Sequence, residues 1–212
     1  MGQDSDKASK AGNGKIDKTN NVNQAQPPAR PPSAPSPVTK SSPTATPSAV
    51  TKKEAEPPAF EKGIIDTLAK EFGNKINVVY TRPLRMKIMV PPEDISAVAI
   101  FLRDKMGFDH AESVAGTDYP KDNQIEVIYH LGSYGTQELE AHIIALTTRT
   151  SRDEARLPSL INVFRSVEYH ERETYEMLGV YFEGHPRNER FLLPEDWADI
   201  PPLRREFRIK GR

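Results

Sequence analysis

The fold class expected from the sequence is α+β: a two-layer domain, mainly antiparallel sheet covered by helices, in the order αββαβββ. Three observations lead there. Apolar residues recur every four positions just after Pro58, several later runs alternate apolar and polar residues, and glycine or proline punctuates almost every change of period. An antiparallel sheet with one apolar face needs cover on one side only, which two amphipathic helices supply. The chain divides accordingly into residues 1–58, a Pro/Ser/Thr-rich tail; 59–150, the α+β domain; and 151–212, two short helices with an extended docking arm.

The tail holds ten of the nineteen prolines and almost no large apolar residue. It cannot bury enough surface to offset an ordering entropy of about 1–2 kcal/mol per residue. Disorder is expected, with polyproline II near Pro27 to Pro37. Pro28-Ala29-Arg30-Pro31 could serve as a ligand for a proline-binding domain, or the segment is simply a flexible extension.

Ile64, Leu68 and Phe72 then predict a helix closed by Gly73. Alternation at Ile76, Val78 and Tyr80, and again at Leu84, Met86, Ile88 and Val90, predicts a hairpin turning at Thr81 to Pro83. Pro92-Glu93-Asp94 suits a helix N-terminus; Ile95, Val98, Ala99, Leu102 and Met106 form its buried stripe, and Gly107 ends it. Strands follow around Ala111 to Ala115, at Gln124 to Leu131 and at Leu139 to Thr148. Ser151 to Ala155 reads as a polar connector.

Helices are expected near Pro158 to Arg165 and Val167 to Leu178. At about 100° per residue, Glu171 falls in the middle of the apolar stripe formed by Val167, Thr174, Tyr175 and Leu178. A carboxylate there needs an arginine or several backbone N–H groups, expected from another subunit; alternatively the helix rotates and Glu171 meets water. Glu168 and Arg172 are spaced as a surface ion pair. The remainder, with Trp197, Leu203 and Phe207 among Pro186, Pro194, Pro201 and Pro202, has no period long enough for a packed element. Aromatics and arginines dominate interface energies, so an arm laid on a neighbouring protein accounts for them, the alternative being a tail folded over its own sheet.

Composition excludes much chemistry. With no cysteine, the chain can form neither a disulfide nor a thiolate-held iron–sulfur cluster. A net charge of −1 without a Lys/Arg run argues against nucleic acid. No stretch approaches the roughly 20 apolar residues of a membrane span, Asp4 and Asp6 do not suit a mitochondrial presequence, and Asp6 spoils a myristoylation motif. Glu171 and Glu173 point about 200° apart on a helix, so they are no hydrolase pair. The five histidines form no metal-ligand spacing and the glycines no phosphate loop, so neither a metal nor a nucleotide is assigned. His185, in the Gly184-His185-Pro186 turn, either holds the arm against a partner or is a plain turn histidine.

Several short elements occur in a fixed order: Glu171-Arg172-Glu173, Tyr175-Glu176-Met177-Leu178-Gly179, Phe182-Glu183-Gly184-His185-Pro186 and Leu192-Leu193-Pro194-Glu195-Asp196-Trp197. With Pro158 to Phe164, Pro201 to Phe207 and Asp118-Tyr119-Pro120, they resemble the signature of the 30 kDa (C-type) subunit of respiratory complex I, the NADH:quinone oxidoreductase family. The resemblance spans roughly Ala59 to Arg208; Glu189-Arg190 departs from the family's usual two arginines. It implies a non-catalytic structural subunit of the peripheral arm of a proton-pumping complex, bracing the quinone-reducing module on the cytoplasmic face of the membrane. The implied partners are the D-type (49 kDa) subunit and the subunit bearing the terminal iron–sulfur cluster. No cofactor is expected on this chain; iron–sulfur clusters, flavin and quinone belong to partner subunits. The residues expected at the interface are Glu171, Arg172, Glu173, Tyr175, His185, Trp197, Arg204, Arg205 and Phe207. The equivalent subunit of an F420H2 dehydrogenase or a membrane-bound hydrogenase is the alternative reading, and a free-standing adaptor a more distant one.

Overall fold

The computed structural model describes residues 58–197 and 200–209, so the expected 1–58 tail lies outside the described residues except for Pro58. Helix α1 (Ala59–Phe72) buries Ile64 and Leu68 and stops at Gly73, whose φ of +56° suits a residue without a Cβ. The hairpin of β1 (Asn77–Arg82) and β2 (Arg85–Met89) follows, but it turns at Pro83 and Leu84, not at Thr81 to Pro83, and a bulge between Val78 and Tyr80 puts these two on opposite faces. Helix α2 (Ile95–Asp104) buries Ile95, Val98, Ala99 and Leu102 of the expected stripe but ends before Met106, which is half-buried beyond it, and the chain goes on to β3 (His110–Tyr119). The strands β4 (Gln124–Gly132) and β5 (Ile143–Ser151) complete the sheet.

The strand order is β1-β2-β5-β4-β3. All pairs are antiparallel except β2 with β5, so the sheet is mostly antiparallel, as expected. The register aligns Met86 with Ile144, Ile88 with Leu146, Leu146 with Tyr129 and Tyr129 with Val114. These side chains share one face and are buried with residues of α1 and α2 in a single hydrophobic cluster. The other face presents Lys87, Glu126, His130 and Arg149, and among the described residues no helix packs over it.

Three larger expectations also need correction. No helix forms at Pro158 to Arg165: Arg156–Pro158 is a short strand, β6, pairing in parallel with β7 (Tyr181–Glu183), and Ser159 donates its N–H to Glu183 O at 2.8 Å. Leu160, Ile161 and Phe164 are buried by a single turn, because strand pairing has already claimed Pro158 and the backbone beside it. The strand expected at Leu139 starts only at Ile143, after a turn of 3₁₀ helix at Gln137–Leu139. Finally, the division at 150/151 is not a boundary between cores. Helix α3 (Val167–Leu178) contributes Val167 and Leu178, and the segments around it Leu157, Phe164 and Phe182, to the same cluster as the sheet.

Candidate functional site

Helix α3 lies across β3 at close range. A Cβ on Gly116 would collide with Leu178 Cδ1, so a glycine at that strand position lets the helix seat. Ser166 anchors its start through a hydroxyl donated to Ala111 O at 2.9 Å, and Gly179 ends it in the left-handed conformation, φ +76°.

Seated this way, α3 buries Glu171 completely. Its carboxylate accepts the Tyr129 hydroxyl at 3.0 Å, the Ser159 hydroxyl at 2.5 Å and the Leu160 N–H at 2.8 Å. The expected need for partners holds, but their source differs: all three donors belong to this chain, neither another polypeptide nor water is required, and Glu171 offers no surface for docking. Burial raises its pKa above the ordinary carboxylate value, while the three donors pull against that shift. The same carboxylate raises the phenol of Tyr129, after burial itself.

One turn further on, Glu176 has a role that its spacing does not announce. It is 4% exposed and gathers three consecutive backbone N–H groups, Phe191 at 3.0 Å, Leu192 at 2.9 Å and Leu193 at 2.8 Å, with Arg190 Nε at 3.5 Å. Burial opposes ionisation, but the three N–H groups and Arg190 outweigh it and hold the carboxyl below its ordinary range. Arg172 sits on the same side of α3, four residues before Glu176. It does not pair with Glu168 as expected; Nε donates to Glu189 O at 3.3 Å and the guanidinium lies over Phe191 at 4.5 Å and Tyr169 at 5.6 Å. The segment 184–193 is thus a strap tied to the helix by its backbone.

His185 is buried at the start of this strap. Its Nδ1 accepts the Arg187 N–H at 3.0 Å, which leaves the proton on Nε2 to be donated to Glu168 O at 3.0 Å. Asn188 meets both backbone groups of Phe182, accepting its N–H at 3.0 Å and donating to its carbonyl at 2.9 Å. His185 therefore braces the strap against its own helix.

The final segment also folds back on this chain, the second of the two arrangements the sequence left open. Leu203 N–H reaches Met177 O at 2.9 Å, and Arg204 Nε caps Leu178 O at 2.7 Å, supplying a cation to the negative end of α3. Arg205 N–H is held by Asp118 at 3.0 Å, while Arg152 bridges Asp118 at 2.7 Å and Glu206 at 2.6 Å. Trp197 and Phe207 are half-buried and pack together with ring centroids 5.6 Å apart. Tyr175 is half-buried against the core and Glu173 is exposed. An arm free to lie wholly on a neighbour is corrected to an arm clasped by Glu176, Asp118, Arg152 and Arg204.

The clasp fixes the backbone and leaves apolar side chains outward. Tyr169 is 59% exposed, Leu192 50% and Leu203 59%, with Phe191, Ile200 and Ile209 also exposed. Several large apolar side chains of the strap and the final segment therefore face solvent. Among the described residues no group of three or more His, Cys, Asp or Glu could hold a metal, and no helix is long and apolar enough to cross a membrane. Arg172 and Glu176, four residues apart on one side of a highly charged helix, are both buried, but their spacing alone reads as a solvated pair and does not announce the clasp.

Known proteins share this fold and much of this sequence. A family described as respiratory-chain NADH dehydrogenase, 30 Kd subunit, matches residues 88–212. The C-type subunit of the F(420)H(2) dehydrogenase of Methanosarcina mazei is 32% identical over 145 residues, covering 68% of this chain and 89% of that protein. Its counterpart in the NADH-quinone oxidoreductase of Chlorobium phaeobacteroides is 36% identical over 115 residues, 53% of this chain and 67% of that one. Among solved structures, a chain of the archaeal membrane-bound sulfane sulfur reductase aligns with a TM-score of 0.62 at 22% identity, over 70% of this chain and 86% of that chain. A trypsin-resistant fragment of Nqo5 aligns at 0.51 and 22% identity, over 60% of this chain and 98% of the fragment; both show the shared fold. A match of this extent, from β2 through the sheet and the whole clasp, means that the chain belongs to the family of the 30 kDa subunit of respiratory-chain NADH dehydrogenase, the complex I type.

Proposed function

We propose that this chain is a non-catalytic structural subunit in the peripheral arm of a proton-pumping complex I-type oxidoreductase, where it braces the quinone-reducing module. Membership of a multisubunit oxidoreductase family makes it one component of a hetero-oligomer. The observation that carries the proposal is the clasped strap: Glu176 consumes the backbone of 191–193, so Phe191 and Leu192 are held outward with little conformational freedom left to lose on docking. The partner assigned to this surface is the D-type (49 kDa) subunit, with the subunit bearing the terminal iron–sulfur cluster beside it. Flavin, clusters and quinone reside on those and other partners, and the complex keeps this chain on the cytoplasmic face of the membrane. NADH is the proposed donor. Reduced F420 is the second reading, favoured by the 32% identity to the Methanosarcina mazei protein. A free-standing adaptor fits less well, because the family match covers the C-terminal clasp itself.

Purifying the tagged full-length chain from detergent-solubilised membranes and identifying what accompanies it tests this directly. Recovery of a D-type subunit together with an NADH- or F420H2-oxidising subunit is expected and names the donor. Recovery of the chain alone, at the size of a monomer, would overturn the proposal.

A further inference from the structure

The face of the sheet opposite the helices carries a charge pattern that the C-terminal clasp leaves unused. The register sets Tyr80 beside Lys87 and Arg82 beside Arg85, so these four share that face, and Arg149 joins them from β5. Arg82 and Arg85 are exposed, and among the described residues neither meets a carboxylate. Arg82 rests on the Tyr80 ring at 5.1 Å, while Arg85 donates to Leu84 O and Ala141 O. The central acid, Glu126, is 1% exposed and is consumed by Lys87 at 2.5 Å and Arg149 at 2.9 Å. At the rim, Glu112 accepts the Tyr134 hydroxyl. Among the described residues, four cations therefore share this face with two engaged carboxylates, on a chain whose formal net charge is −1.

His130, in the middle of this face, registers the excess: burial first, then the charges of Lys87 and Arg85, hold its imidazole below the ordinary value. At the β2 end the face runs into a cleft of about 340 Å³, where Asn74, Asn77 and Gln124 supply carboxamides around Met89 and Arg149. This is a recess with donors and a cation for an incoming carboxylate.

We infer that the open face of the sheet, centred on Arg82, Arg85, Lys87 and Arg149, receives an acidic segment of a partner polypeptide. Charge complementarity selects the occupant. Nucleic acid shares the negative charge but gains most on such a sheet by stacking bases on aromatic rings. Here Tyr80 and Tyr119 present rings already engaged by a guanidinium, Tyr80 by Arg82 and Tyr119 by Arg149 at 4.6 Å. This surface is separate from the strap, so its failure would leave the C-terminal reading untouched.

The test uses the full chain and a short fluorescent poly-L-glutamate peptide, followed by anisotropy at low and moderate salt, with an NMR pH titration of His130 in parallel. Saturable binding that weakens with salt is expected, and the His130 pKa should rise when the peptide is bound, because added negative charge offsets Lys87 and Arg85. Arg82→Glu with Arg85→Glu should weaken binding by about tenfold or more, whereas Lys62→Glu with Lys70→Glu, the same change of charge on the exposed side of α1, should shift it by less than about twofold. The two unmodified-protein readouts hold even if a variant fails to fold. Absence of saturable binding, an unmoved His130, equal losses from both double variants, or equally tight binding of an oligothymidylate of matched charge would each overturn the inference.

Discussion

Replacing Glu176 by alanine removes the acceptor of three backbone N–H groups in one step, and the consequence can be worked from the geometry. Bonds of 2.8–3.0 Å to an ionised carboxylate are worth about 1.5–3 kcal/mol each when fully buried. Phe191 and Leu192 are exposed, so water recovers much of what the strap loses. A loss of about 2–4 kcal/mol in strap docking remains, equivalent to a roughly thirty- to several-hundred-fold increase in local opening. Amide hydrogen exchange resolves this. The N–H groups of residues 191–193 should exchange faster by that factor in Glu176→Ala, while those of β4, in the shared core, should keep their protection. In the native protein the same protection has a pH dependence whose sign follows from a depressed folded-state pKa. It is fully present above the ordinary carboxylate pKa and lost as pH falls through the lower value in the fold. Unchanged exchange at 191–193 in the alanine variant would refute the claim that Glu176 holds the strap.

Other outcomes follow from the same contacts. Gly116→Val drives a side chain into Leu178, and thermal unfolding should report a loss of about 1–3 kcal/mol, with α3 amides exchanging faster than those of α2. Glu171 has a raised pKa in the fold, so the unfolded chain releases this proton first as pH rises. Denaturant titrations should therefore show native stability falling from the ordinary carboxylate pKa up to the raised one, a slope that Glu171→Gln abolishes. Arg152→Ala frees Asp118 and Glu206, and exchange at the Arg205 N–H should rise without a matching change at 191–193, since the two clasps share no residue.

How much of this was legible depends on what each residue answers to. Periodicity reveals a side chain that answers to one core: Ile64, Leu68, Val98, Leu102 and the alternating positions of β2 and β4 all lie where their spacing put them. It fails at Pro158 to Arg165, where Leu160, Ile161 and Phe164 have helical spacing but the backbone before them pairs with β7, far along the chain. Pairing at that separation leaves no local trace. Glu171 interrupts an apolar stripe, which marks it as an acid that needs either partners or water, yet Tyr129 and Ser159, its donors, sit on other elements and no spacing connects them. Glu176 gave a weaker sign still. Its partners are backbone N–H groups, which every sequence possesses and none displays. The aromatic, arginine-rich composition of the C-terminal segment did point to an interface, but not to the carboxylates that shape it.

The surface these carboxylates shape is tested most directly by changing only what it displays. Leu192→Asp with Leu203→Asp alters two exposed side chains, each half or more open to solvent, and leaves the N–H groups that Glu176 and Met177 O hold. Co-purification of the tagged variant from solubilised membranes, beside the unmodified chain, should show the D-type partner lost while thermal stability and strap protection stay unchanged. Full recovery of that partner with the doubly substituted chain would contradict the account.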